Sequence, residues 1–134
     1  MHITLEEIKE RGEKIREFMK GKFPEVGFGN NKSTVEWIDG YIHRNRDIFS
    51  EEMRYGWAVA FGYLIGEAMN AEYNSEWNYL EKSDMWGIQI PNIGWASPIG
   101  KIDKYLVDDS DSILSFYEVV GKAIEKGGMD KVGS

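Results

Sequence analysis

Residues 55–66 (YGWAVAFGYLIG) form an uncharged run that ends at Glu67. Apolar residues through this segment recur every three or four positions, which is typical of an α-helix. Because the middle of the run has no polar face, we expect this helix to be buried on several sides. Ser50 is placed to cap the helix, and Glu51 and Glu52 suit the positive end of its dipole. The chain is therefore predicted to fold around one central helix.

Three glycines, Gly56, Gly62 and Gly66, lie within this helix. A glycine in a helix interior costs roughly 1 kcal/mol relative to alanine. We therefore expect another element to approach the helix backbone closely at these positions. Ala58, Gly62 and Gly66 lie four residues apart and would form a groove on one face. A homodimer assembled through that groove is one alternative to packing within the chain.

Capping boxes predict where two other helices begin. Thr4-x-x-Glu7 opens a first helix, and a Gly- and Asn-rich loop follows it over residues 24–32. Ser33-x-x-Glu36 opens a second helix that covers about residues 33–46. A last helix is predicted over residues 111–126, with its cap in the acidic cluster 108–111.

Short segments that alternate apolar and polar residues predict three strands, at 76–80, 85–90 and about 94–97. They form an antiparallel meander, and one or two helical turns follow Pro98. The predicted fold class is α+β, with the buried central helix packed with other helices against this small sheet. We predict one domain over residues 1–134, in which 1–32 are an N-terminal helix and loop and 127–134 a flexible tail.

The charge of the chain bears on its partners. The net charge is −7, and residues 33–134 carry nine basic and seventeen acidic side chains. Such a field repels nucleic acid and attracts a basic protein, although plain solubility is the more common explanation for an acidic cytoplasmic domain. The chain has no cysteine, its first residues lack the apolar core of a signal peptide, and its longest uncharged run is too short to cross a bilayer. We therefore expect a cytoplasmic protein that has no membrane partner.

Glu67 is the first candidate for a functional side chain, because it closes the apolar run at the edge of the core. A buried carboxylate needs a cationic partner or several N–H donors. Lys101 and Lys104 are the predicted partners, and such an ion pair would join the central helix to the sheet. The alternative is that Glu67 is a general acid or base with a raised pKa.

Two other sets of residues have both a structural and a functional interpretation. Trp77, Trp86 and Trp95 fall one on each predicted strand, either as half-buried anchors or as a stacking surface for a sugar or peptide. Three arginines bracket the turn before the central helix, where they either pair with Asp47, Glu51 or Glu52 or bind a phosphate or carboxylate. These arginines are Arg44, Arg46 and Arg54.

A metal site is not predicted. Asp39 and His43 are four residues apart on the second helix, which favours a surface hydrogen bond, and the chain has only two histidines. We expect no metal and no other cofactor.

Several short sequence motifs within residues 37–117 form a recognisable set. They are Trp37-Ile38-Asp39 with Arg46, Ala60-x-Gly62-x3-Gly66-Glu67, the Trp77 strand, Trp86-Gly87, Pro98 with Lys101 and Lys104, and Asp111-Ser112-Ile113 before Phe116-Tyr117. With them the chain resembles an uncharacterised bacterial domain family of unknown function. Such domains resemble small bacterial accessory proteins, including immunity proteins of toxin systems. The resemblance implies a small bacterial accessory protein and transfers no catalytic residue.

These observations favour a small, acidic, non-enzymatic protein that binds another protein, in the manner of an immunity protein or antitoxin acting on a basic toxin. The alternative is a small-molecule-binding domain or hydrolase with a pocket near Glu67, walled by the tryptophans of the meander. The oligomeric state, monomer or homodimer, stays open in both.

Overall fold

The computed structural model describes residues 3–108 and 112–127. Within them the chain forms five α-helices, one short 3₁₀ turn and three strands. The elements are α1 (Leu5–Lys22), α2 (Lys32–Asn45), the 3₁₀ turn (Arg46–Ile48), α3 (Glu51–Tyr73), β1 (Glu76–Leu80), β2 (Met85–Ile90), β3 (Gly94–Ala96), α4 (Pro98–Tyr105) and α5 (Ile113–Glu125). The predicted α+β class and the three-stranded antiparallel meander are confirmed.

Helix α3 lies at the centre of the molecule. Every residue from position 58 to position 66 is buried, as expected for a helix that is apolar all round. Helices α1, α2, α4 and α5 and strands β1 and β2 all contact it. The first two residues of the uncharged run, Tyr55 and Gly56, are exposed, so the run extends beyond the core at that end.

Two glycines of α3 allow the close packing that the sequence predicts. A Cβ at Gly62 would lie 2.7 Å from the Cα of Ile99 at the start of α4. A Cβ at Gly66 would lie 2.3 Å from the ring of Trp77. The Ala58/Gly62/Gly66 face is therefore covered within the chain, and it is not free for a homodimer. The prediction for Gly56 is wrong, because nothing lies within 4 Å of a Cβ built there.

The sheet has the order β1-β2-β3, with both pairs antiparallel. Trp77 is opposite Ile88, and Tyr79 is opposite Trp86, so these four side chains share the face that packs on the helices. Trp95 is opposite Gln89 and belongs to the other face. The register thus divides the three strand tryptophans between the two faces of the sheet.

Two helices begin at the predicted caps, and two begin at other caps. The capping box of Thr4 and Glu7 and the cap at Ser50 are confirmed. Helix α2 begins earlier than predicted, because the side chain of Asn31 accepts from the backbone N of Thr34 and leaves Ser33 inside the first turn. Helix α5 is capped by Ser112. Residues 109–111 of the acidic cluster, and the predicted tail after Gly127, lie outside the described residues.

Candidate functional site

The largest cavity described is an apolar groove between α1 and α3, with a volume of about 700 Å³. We call it the α1/α3 groove. Its apolar lining is Ile15 and Phe18 from α1 and Met53, Tyr55, Gly56, Trp57 and Ala60 from α3. Phe18, Met53 and Tyr55 are each more than half exposed, at 56%, 55% and 55%. Large side chains exposed together along a groove are typical of a binding surface.

The sequence explains why this groove is open. Ile8 and Met19 are fully buried, whereas Phe18 lies at the edge of the apolar stripe of α1. By their spacing Phe18 and Met53 belong to the apolar stripes of α1 and α3, yet both side chains are exposed. Gly56 contributes no side chain to the groove, and nothing lies within 4 Å of a Cβ built there. The lining therefore combines the large exposed ring of Phe18 with an open position at Gly56.

The two sides of the groove carry opposite charges. Arg11 and Lys14 line it from α1, and Glu52 lines it from α3. Lys14 also forms an exposed ion pair with Glu10, with 3.1 Å between Nζ and Oε1. Lys22, at the end of α1, lies over the ring of Phe18, 5.7 Å from its centroid. The groove therefore has an apolar floor, a basic α1 side and an acidic α3 side.

Glu67 is half-buried and bonded to neutral donors. The indole N–H of Trp77 donates to its Oε2 at 3.0 Å, and the amide of Asn70 donates to the same oxygen at 3.5 Å. The ring of Tyr63 stacks on Trp77, with 5.9 Å between centroids, and burial, reinforced by the Glu67 carboxylate, raises the pKa of Tyr63. Glu67 thus holds the central helix to the first strand, the junction that the sequence predicts for it.

Among the contacts of the described residues, none joins Glu67 to Lys101 or Lys104, the two lysines predicted to pair with it. Lys101 is half-buried, with its Nζ 5.4 Å from the centroid of the Phe116 ring. Lys104 is exposed on α4. Glu67 lines neither of the two cavities described here, and the tryptophan in the α1/α3 groove is Trp57.

The strand tryptophans are anchored separately. Trp77 packs on Gly66, and the indole of Trp86 donates to the carbonyl of Ile3 at 2.7 Å. Trp95 covers Gly87 on the other face and donates to the carbonyl of Asn78 at 3.0 Å. Since the three rings do not share a face, they form no common stacking surface.

Two of the three arginines, Arg46 and Arg54, contact α4 rather than the nearby acids. Arg46 donates from Nε to the carbonyl of Tyr105 at 2.9 Å, and its guanidinium lies over that ring. Arg54 forms an ion pair with Asp103 at 3.0 Å. Arg44 is exposed, with its guanidinium close to Gly40. For Arg46 and Arg54, the predicted pairing with Asp47, Glu51 or Glu52 is therefore replaced by contacts to α4.

Asp39 has a structural function that the sequence did not reveal. Its Oδ1 accepts from the backbone N of Ile113 at 2.9 Å, from that of Leu114 at 3.2 Å, and from Ser112 Oγ at 3.0 Å. A carboxylate at this position satisfies free N–H groups and complements the helix dipole. Among residues 3–108 and 112–127, no group of three or more His, Asp or Glu side chains is placed to hold a metal ion.

A second, smaller cavity of about 180 Å³ lies between α3 and α5. Tyr117 donates to the carboxylate of Glu72, and Tyr73 donates to the carbonyl of Tyr117 at 2.9 Å. Lys32 and Glu118 form an ion pair at its edge, with 3.1 Å between Nζ and Oε2. Burial raises the pKa of Tyr73 to about 12 and also raises that of Tyr117. These hydroxyls are therefore neutral and already hydrogen-bonded at neutral pH.

Comparison of the chain with protein-family models, curated proteins and solved structures gives no match. The resemblance of residues 37–117 to a bacterial family stays a prediction. Among the described residues, no helix combines the length and the apolar character needed to cross a bilayer. The α1/α3 groove is therefore the feature on which a function can be argued.

Proposed function

We propose that this chain is a non-enzymatic module that binds another protein, and that the α1/α3 groove is its docking site. The observation that carries the proposal is the exposure of Phe18, Met53 and Tyr55 along one open groove. Aromatic residues and methionine are enriched in protein interfaces, and exposed apolar grooves accept the apolar face of a helix. The groove offers both the shape and the chemistry for such a contact.

The partner that suits the whole molecule is a basic protein with an apolar segment, as in an immunity protein or antitoxin that acts on a basic toxin. The net charge of −7 would speed its approach over a distance of about 10 Å at moderate salt. The groove would then supply the short-range contact. In this proposal charge governs the rate of association, and apolar burial governs its strength.

The hydrolase alternative lacks support at the residue on which it depends. A general acid or base must reach a substrate, and Glu67 lines neither described cavity. Its Oε2 instead accepts hydrogen bonds from Trp77 and Asn70. A structural function for Glu67 accounts for these contacts.

Site-specific photocrosslinking tests the proposal. A benzophenone side chain replaces Tyr55 in the groove or, as a matched control, Val119 on α5, which is 63% exposed. In the cell of origin, we expect the probe at position 55 to form an adduct with a distinct basic protein. The adduct should be absent with the probe at position 119, and it should be lost when Phe18→Glu is added to the probe at position 55. Equal adducts from both positions, or none from position 55, would contradict the proposal.

A further inference from the structure

We infer that a second copy of this chain occupies the α1/α3 groove when the partner is absent, in a two-fold contact that a partner must displace. The inference rests on the proposed function, because it takes the same groove as the docking site. It names the first occupant of that groove. Three features of the groove support it: the alignment of α1 with α3, the exposed Phe18 together with the open position at Gly56, and the opposite charges at one end.

The relative direction of α1 and α3 follows from their contacts. Gly12 of α1 touches Tyr63 of α3, whereas Phe18 lines the groove together with Met53. The helices therefore run antiparallel. Moving along α1 from Gly12 to Phe18 corresponds to moving back along α3 from Tyr63 to Trp57, which is next to Gly56. Phe18 and Gly56 thus lie at the same level on opposite sides of the groove.

The two sides of the groove are complementary to each other under a two-fold rotation. Consider a two-fold axis that lies in the plane of contact and runs along the groove. Rotation about it exchanges the α1 side of the groove with the α3 side, and every residue keeps its position along the groove. Each α1 then lies over α3 of the other copy. Phe18 of one copy meets the open space above Gly56 of the other, twice in the dimer. A closed dimer needs such a self-complementary surface, in which a projecting group faces a recess of the same surface.

One end of the groove carries side chains of opposite charge. Lys22 is the last residue of α1, and Glu52 is in the first turn of α3. The antiparallel alignment puts both at the end where Phe18 lies. The same axis brings Lys22 of each copy to Glu52 of the other. Within the described parts of the chain neither residue forms an ion pair, and Lys22 lies over the ring of Phe18, so its charge is already at this end of the groove.

Sedimentation of the purified full chain over a wide concentration range tests the inference. We expect a reversible monomer–dimer equilibrium. Phe18→Glu should raise the dimer dissociation constant at least about tenfold, because it puts a charge at the centre of an apolar contact. Gly56→Trp should have the same effect by filling the recess. Val119→Glu, an exposed apolar position on α5, should leave the constant unchanged. All of these positions are exposed, and the melting temperature of each variant checks that it folds.

A charge exchange tests the orientation of the two copies. Lys22→Glu or Glu52→Lys alone should weaken the dimer by about two- to fivefold, because each puts like charges together at the rim. The double variant, with both changes, should restore wild-type association.

A chain that stays monomeric at every concentration overturns the inference, and so does a dimer that Phe18→Glu leaves unchanged. A monomeric chain that still forms an adduct with another protein from position 55 overturns the inference and leaves the proposed function intact. A dimer with the expected variants, whose position 55 is crosslinked only to a second copy, supports the inference and contradicts the proposed function.

Discussion

Asp39 is a single residue that joins two helices far apart in the sequence. It belongs to α2, and its carboxylate accepts from two backbone N–H groups at the start of α5. Ser112 also caps α5, through the backbone N of Ser115. The two side chains satisfy different N–H groups, so neither replaces the other. The Asp39 carboxylate therefore links α2 to the first turn of α5, in addition to the ion pair between Lys32 and Glu118.

Removal of that carboxylate should destabilise the fold. Asp39→Ala is expected to lower the free energy of unfolding by about 1–2 kcal/mol, because the buried side of the first turn of α5 loses its acceptor. Asp39→Asn keeps a side-chain oxygen as acceptor, so it should lower the free energy of unfolding by less than Asp39→Ala does. Urea denaturation followed by far-UV circular dichroism measures both. An alanine variant as stable as wild type would mean that water replaces the carboxylate without cost.

At the scale of elements, the three glycines of α3 look alike in the sequence but have different surroundings. Two allow close packing, and the third borders open space. Gly62 allows the start of α4 to touch the α3 backbone, and Gly66 accommodates the ring of Trp77. Gly56 has free space around it and lies in the open groove. Spacing alone predicted close approach at all three, because a sequence does not show which face of a helix another element will cover.

Two alanine substitutions should therefore change stability in opposite directions. Gly62→Ala is expected to lower the free energy of unfolding by about 1–3 kcal/mol, since its Cβ would meet backbone atoms of Ile99 that cannot move away cheaply. Gly56→Ala should raise that free energy by up to about 1 kcal/mol, through helix propensity alone. Urea unfolding at a concentration where any dimer has dissociated measures both. Equal effects of the two changes would contradict the packing described for α3.

The elements that could be predicted from the sequence are those with local signals. The capping box at Thr4, the cap at Ser50 and the apolar period of α3 all lie within a few residues of what they determine, and all are confirmed. Contacts between distant residues could not be predicted in this way. Whether Trp77 and Trp95 share a face depends on the strand register, and the open groove depends on how α1 aligns with Gly56.

At the scale of the whole molecule, α3 and α5 are joined by tyrosines that stay protonated. Tyr117 is fully buried and donates to Glu72, while Tyr73 donates to the carbonyl of Tyr117. Burial raises the pKa of Tyr73 from 10.0 to about 12, and burial together with the Glu72 carboxylate raises that of Tyr117 further. Tyr63 of α3 stacks on Trp77 of β1, and burial raises its pKa as well. The hydrogen bonds that Tyr73 and Tyr117 donate therefore depend on neutral phenols.

Alkaline pH should consequently unfold this protein. Below pH 10 these tyrosines are neutral in both states, so their contribution to stability is complete. Above pH 10 the unfolded chain loses its phenolic protons while the folded chain keeps them, so the free energy of unfolding falls as pH rises toward about 12. Tyr73→Phe should lower stability at pH 7 by about 1 kcal/mol, through the lost hydrogen bond, yet make the fall above pH 10 less steep. Urea unfolding between pH 7 and pH 11 measures these slopes, and a wild-type stability that is flat across that range would show that the phenols ionise without opening the contacts between α3 and α5.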